Sequence, residues 1–137
     1  MKQLDNRGIA AFEFCLVAAP ILILIFAIFD FSRYAITVQS LRMLADAGAR
    51  AMMINCYTPA VIAGSSPSSC TSSPLSSTAM QSVAPFLFGG TAGSVNLTVS
   101  AAGGVLTVKA SQPGFAMIMP IWGGALNAPT ASTSVPY

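Results

Sequence analysis

From Ile9 to Phe29 the chain is apolar on every side of a helical projection, with one charge, Glu13, near the start of the run. At about 1.5 Å per residue that stretch is long enough to cross roughly 30 Å of hydrocarbon as a helix. The pattern changes after Asp30. Residues 32–54 lack proline, and Leu41, Leu44, Gly48, Ala51 and Met52 recur at helical spacing on one face. Arg42, Asp46 and Arg50 fall four apart on another, where an acid followed by a base supports a helix. The two patterns together predict one continuous helix of about 45 residues, its first half in lipid and its second outside. Pro20 removes a backbone bond from the lipid half and predicts a kink there. The triplet Tyr57-Thr58-Pro59 predicts that the helix ends near Asn55. The charged stripe reads as a solvated face ahead of any docking role.

Beyond the helix the periods shorten. Residues 64–77 are a Ser/Pro/Gly loop by composition, and Ser73-Pro74 predicts the start of a short helix through Met80 and Val83. Pro85 and Gly89-Gly90 close it. Residues 95–100 alternate apolar and polar, as in a half-buried strand; 101–104 turn, and 105–110 return, so a hairpin is expected. Residues 115–122 are strongly apolar but broken by Pro120, which reads as cover over a core rather than as a binding site. The small, β-compatible run 130–136 predicts a third strand. A helix across a three-stranded antiparallel sheet would bury both apolar faces in two layers, so the fold class is α+β.

Composition sharpens this picture. The 137 residues suffice for one small domain plus an anchor. At 54% hydrophobic and 7% charged the chain departs from a free cytosolic domain, where about 25% charge is usual. Nine of its ten charges lie in the first 50 residues, leaving Lys109 alone afterwards. Such a tail is poorly protected against association, which points to a surface covered by neighbours. A polar Ser/Thr-rich surface in a non-cytosolic compartment is the other reading. A net charge of +2, scattered as it is, excludes a nucleic-acid footprint.

Orientation rests on two weak signals. Lys2 and Arg7 precede the span and favour a cytoplasmic N-terminus, although Arg33 and Arg42 follow it closely. Cys56 and Cys70 flank the Ser/Pro/Gly loop, and a disulfide closing a loop of that size contributes about 3 kcal/mol. Such a bond persists in an oxidising compartment, which would put the C-terminal part outside the cytoplasm; two unrelated free thiols are the alternative. Cys15 is an ordinary small apolar residue of the span. A cleaved secretory signal fits less well, because its apolar core is about 7–15 residues and the sequence after Phe29 lacks an Ala-x-Ala site.

No catalytic set can be assembled. Histidine is absent, and Asp5, Glu13, Asp30 and Asp46 are well separated on or before one helix. No serine sits in a Gly-x-Ser-x-Gly elbow, and neither a phosphate-cradling loop nor a metal or haem pattern occurs. Asn96-Leu97-Thr98 matches a glycosylation acceptor, but inside an expected strand the match reads as chance. Neither enzymatic activity nor a cofactor is expected. A carboxylate in the lipid run costs about 2.5–3.5 kcal/mol on insertion scales, so Glu13 requires a partner.

The junction Arg7-Gly8-Ile9-Ala10-Ala11-Phe12-Glu13-Phe14 resembles a type IV prepilin-like processing site. Together with Leu16-Val-Ala-Ala-Pro20, Asp30-Phe-Ser-Arg-Tyr34 and Ala47-Gly48-Ala49-Arg50-Ala51, it is similar to the TadE family. These are pilin-like proteins of the tight-adherence (Tad, or Flp) pilus system. The alternating strand, the Gly-Gly turn and the final Ala-Ser-Thr-Ser run are also similar. The resemblance implies a basic leader at 1–8, a transmembrane part at 9–31, its extramembrane continuation at 32–54 and a small exterior α+β domain at 55–137. It further implies cleavage between Gly8 and Ile9 by a membrane prepilin peptidase. Glu13 of one subunit would then meet the new Ile9 amine of a staggered neighbour, each charge making the other tolerable in lipid. Glu13 bonding its own first-turn amine, or lying at interface depth, stays open. Phe14 stands where major Flp pilins have Tyr, and the chain is far longer than those subunits, which implies a minor, accessory role.

The function expected is therefore a minor pilin of the bacterial inner membrane, required for assembly of a Tad/Flp adhesion pilus. Its N-terminus would be cytoplasmic and its C-terminal domain periplasmic or exterior, and the subunit could enter the extracellular pilus. Glu13, Phe14 and Pro20 form the expected assembly face. The implied partners are the membrane, other pilin and minor pilin subunits, the Tad inner-membrane assembly platform and the peptidase. A permanently anchored envelope scaffold of a secretion system is the competing reading; there Glu13 would pair with another membrane subunit.

Overall fold

A computed structural model describes residues 7–89 and 94–137. Its dominant element is α1, Arg7–Met52, 46 residues long, and so about 70 Å from end to end. The helix runs on through Pro20. Proline's missing N–H leaves the Leu16 carbonyl without its helical donor there.

Helical structure also persists past Asn55, where the sequence pattern predicts an end. Met53–Tyr57 form a single wide π turn, in which the Thr58 N–H bonds to the Met53 carbonyl. A second helix, α2, follows at Thr58–Ile62 with Pro59 in its first turn. That is why Pro59 fails to terminate the helix: the extra residue of the π turn shifts the register, and a first-turn proline loses no needed donor. After Gly64, at φ 67°, the chain turns back. A short 3₁₀ turn at Pro67–Ser69 carries Cys70 under the helix. Cys70 is bonded to Cys56 with the Cα atoms 5.8 Å apart.

Helix α3, Ser77–Val83, is capped by Ser76, whose hydroxyl accepts the Ala79 N–H at 3.3 Å. The cap is thus not at Ser73-Pro74. Ser73 instead donates to the Leu75 carbonyl, using its side chain before the helix begins. A 3₁₀ turn at Pro85–Phe88 follows, and it buries Leu87. Gly90, expected to help close this region, lies outside the described residues.

The sheet is an antiparallel meander of three strands: β1, Asn96–Ala102; β2, Val105–Ser111; and β3, Thr130–Pro136. Ala101 and Ala102 stay paired, opposite Leu106 and Val105, so the turn is Gly103-Gly104 alone. Both glycines have positive φ, 59° and 77°. That is the two-residue geometry whose twist matches flanking strands, and it requires residues without a Cβ penalty. In β2 and β3, Val105 lies opposite Pro136 and Ser111 opposite Thr130.

Alternation puts Leu97, Val99, Leu106, Val108 and Ala110 on one face, buried against α1. The opposite face carries Thr98, Ser100, Lys109, Ser132 and Ser134 in solvent. On the helix, the buried stripe is Leu41, Leu44, Ala45, Gly48, Ala49 and Met52. Ala51, expected on that stripe, is half-buried, a rotation of a fraction of a turn. At Gly48 the packing is closest: a Cβ there would stand 3.1 Å from Val108 Cγ1 and 3.2 Å from Leu97 Cδ2. Arg42, Asp46 and Arg50 are exposed, and Asp46 accepts the Thr133 hydroxyl from β3. The molecule is a long apolar helix whose C-terminal half carries a small three-stranded sheet.

Candidate functional site

Two places on α1 hold side chains whose situation the fold alone does not explain. The first is its N-terminal half. From Ile9 to Phe29 every large apolar side chain is exposed, Phe12, Phe14 and Phe29 by about two thirds or more. None of the span's best apolar window is covered by the rest of the chain. Glu13 lies within this exposed stretch and makes no ion pair or hydrogen bond among the described residues. Ile9 and Glu13 are four residues apart, and so stand one above the other on a single helical face.

Gly8 and Ile9 belong to the first helical turns, whereas residues 1–6 of the expected leader lie outside the described residues. Phe14 and Pro20 are exposed on the same segment, as is the thiol of Cys15. The sequence-derived sites do not converge. Gly8, Ile9, Glu13, Phe14 and Pro20 share one end of the helix. Cys56 and Cys70 lie near the other, and at 1.5 Å per residue Cys56 is about 70 Å from Ile9.

The second place is a collar where the apolar span meets the folded part. Asp30 is 3% exposed although it ends a run of residues open to their surroundings. Its carboxylate accepts the Ile118 N–H at 3.0 Å and the Met119 N–H at 3.0 Å, and Arg33 reaches it from the next turn at 3.4 Å. The loop from Phe115 to Gly124 is thereby pinned to the helix 88 residues earlier in sequence.

An aromatic cluster completes the collar. Trp122 lies 6.1 Å from Phe31, Tyr34 lies 6.3 Å from Phe115, and the Arg33 guanidinium stands 5.6 Å above the Phe115 ring. Residues 115–122 are therefore not the core cover their composition suggests. Phe115 is buried, but Ile118 is 74% and Ile121 59% exposed. A loop tied by its backbone to a carboxylate can hold side chains outward, and this one does so with Ile118 and Ile121.

Sequence reasoning passed over Asp30 as a ligand for the loop. Its signal was an acid at the end of an apolar run, with an arginine three residues on and an uncharged apolar loop elsewhere needing acceptors for its N–H groups. Among the described residues no group of three or more His, Cys, Asp or Glu side chains comes together. What the chain offers is surface: a bare apolar rod with one acid, and a collar around the rod's C-terminal end.

Residues 8–50 match the family model described as TadE-like protein. That match covers the exposed span, the collar's Asp30 and Arg33, and most of the stripe beneath the sheet. No curated protein and no solved structure matches the chain.

Proposed function

With residues 8–50 TadE-like, and a Tad pilus-associated protein thereby implied, we propose that the chain is a minor-pilin-like subunit that helps to assemble a Tad pilus. The carrying observation is the bare half of α1: a helix apolar on all sides, exposed from Ile9 to Phe29, with an acid one turn in that has no partner among the described residues. An all-round apolar helix is stable in water only when something else covers it. Before assembly that cover is the bilayer, which the helix is long and apolar enough to cross once. After assembly it is the matching helices of neighbouring subunits.

In this reading 1–8 is a leader, 9–31 the span, 32–54 its continuation, and 55–137 the exterior domain. A prepilin peptidase cuts between Gly8 and Ile9. The new Ile9 ammonium of one subunit then meets Glu13 of a neighbour displaced along the axis. Each charge is costly alone in hydrocarbon and tolerable as a pair, so the pair selects one stagger. Phe14 and Pro20 shape the adjoining face. The N-terminus is cytoplasmic, and the bonded Cys56 and Cys70 fit an exterior domain on the oxidising side of the membrane. Further partners are other pilins and an inner-membrane assembly platform.

The mass of the mature protein from piliated cells tests processing, and loss of the first eight residues is expected. Sheared filaments test the role. The protein should be found in them; processed protein that stays wholly in the membrane would instead make it a permanent envelope scaffold. Glu13→Gln should abolish or strongly reduce piliation while leaving the protein inserted and cleaved. Normal piliation of that variant would remove the pairing mechanism.

A further inference from the structure

We propose that the loop from Phe115 to Gly124 is a second membrane contact, whose tip of Ile118, Ile121 and Trp122 rests at the boundary between lipid headgroups and acyl chains. The inference depends on α1 crossing the bilayer as read above, and adds where the folded part sits against it. Depth comes first. Trp122 shares a groove with Leu24, Ala27, Ile28 and Phe31, and Ile118 and Met119 share another with Phe26 and Phe29. The loop thus reaches down the helix past Asp30, level with the last two turns of the apolar run. Leu24 lies about 9 Å below Asp30 at the helical rise. If those turns are in the membrane, the loop tip is at its surface layer.

Chemistry agrees with depth. Residues 113–128 contain no charge. Backbone donors near lipid must be satisfied from within the protein, and several of this loop's are. Ile118 and Met119 donate to Asp30, and Met117 donates to Asn127 Oδ1 at 3.0 Å. Asn127 and Ala128 donate to the Gly124 and Phe115 carbonyls. The large apolar side chains left outward are Ile118 and Ile121, as suits an acyl boundary and not open water. Tyr34 and Trp122 belong to the types enriched at that level. Arg33, half-exposed on the outer side of the collar, is placed to meet lipid phosphate. Lipid is favoured over a second copy as occupant because the tip continues the apolar surface of the span on both sides.

The test uses the full chain reconstituted into phosphatidylcholine vesicles. Trp122 is the sole tryptophan, so its emission reports on the loop alone. Lipids brominated near the headgroup end of the acyl chain should quench it strongly, and lipids brominated near the chain terminus weakly. Asp30→Asn should weaken the tie to the loop and reduce the shallow quenching, with a gain in quenching by aqueous acrylamide. Ile118→Ser/Ile121→Ser, altering only exposed side chains, should do the same without changing the unfolding of the sheet. Resistance of the vesicle-bound protein to alkaline extraction reports separately on the span. Failure there would sink the anchor itself. An extraction-resistant protein whose Trp122 is open to acrylamide and untouched by brominated lipid would overturn the loop's membrane contact. Quenching that vanishes as the protein-to-lipid ratio rises would assign the tip to a second copy, and would also overturn it.

Discussion

The two halves of α1 are both rich in apolar residues, yet they meet opposite fates. Residues 9–29 expose nearly every large side chain, whereas Leu41, Leu44, Ala45, Ala49 and Met52 are sealed under the sheet. The first half has no polar face; the second has a stripe of apolar residues opposed by Arg42, Asp46 and Arg50. A stripe can be satisfied by one's own chain, because one sheet covers one side of a helix. An all-round apolar surface cannot, and has to borrow its cover from lipid or from other subunits. The same sequence thus separates intramolecular from intermolecular stability along one rod.

Four variants test that division. Leu44→Ala, at a fully buried position, should cost about 2–5 kcal/mol in denaturant unfolding of the micelle-bound protein. Cys56→Ser/Cys70→Ser should remove about 3 kcal/mol in the same measurement, and reduction of the wild type should match it. Gly48→Leu forces extra volume between α1 and the Val108 and Leu97 side chains, and should cost about 1–3 kcal/mol. Leu22→Ala, in the bare half, should leave sheet unfolding within about 0.5 kcal/mol of wild type. A Leu22→Ala effect as large as that of Leu44→Ala would mean that the halves are energetically one unit, and the contrast would fail.

Much of this architecture was legible from periodicity. The change from uniform to striped apolar pattern near Asp30 located the point where the folded part begins to cover the helix. Alternation at 95–100, followed by the small residues 101–104 and the β-rich return at 105–110, specified a hairpin, although its turn is the two glycines alone. The third strand followed from its small β-compatible residues. Other features were hidden for identifiable reasons. Pro59 breaks a helix in a regular register but not two residues past a π turn, and nothing in the local sequence announces that turn. The apolar run 115–122 has the composition of a core segment. Only the tie between Asp30 and the Ile118 and Met119 N–H groups, made across 88 residues, shows why Ile118 and Ile121 point away. For Glu13 the limit is different: an acid whose proposed counter-charge lies on another molecule leaves no trace of that partner in a single chain.

The bond between Cys56 and Cys70 has a mechanical consequence. Tension entering through the rod and leaving through the last strand would bypass the 13 residues between those sulfurs, which could never be drawn out straight. On the order of 40 Å of slack is thereby withheld from a stretched subunit. A pulling experiment with and without reductant would read that difference directly as a change in extension.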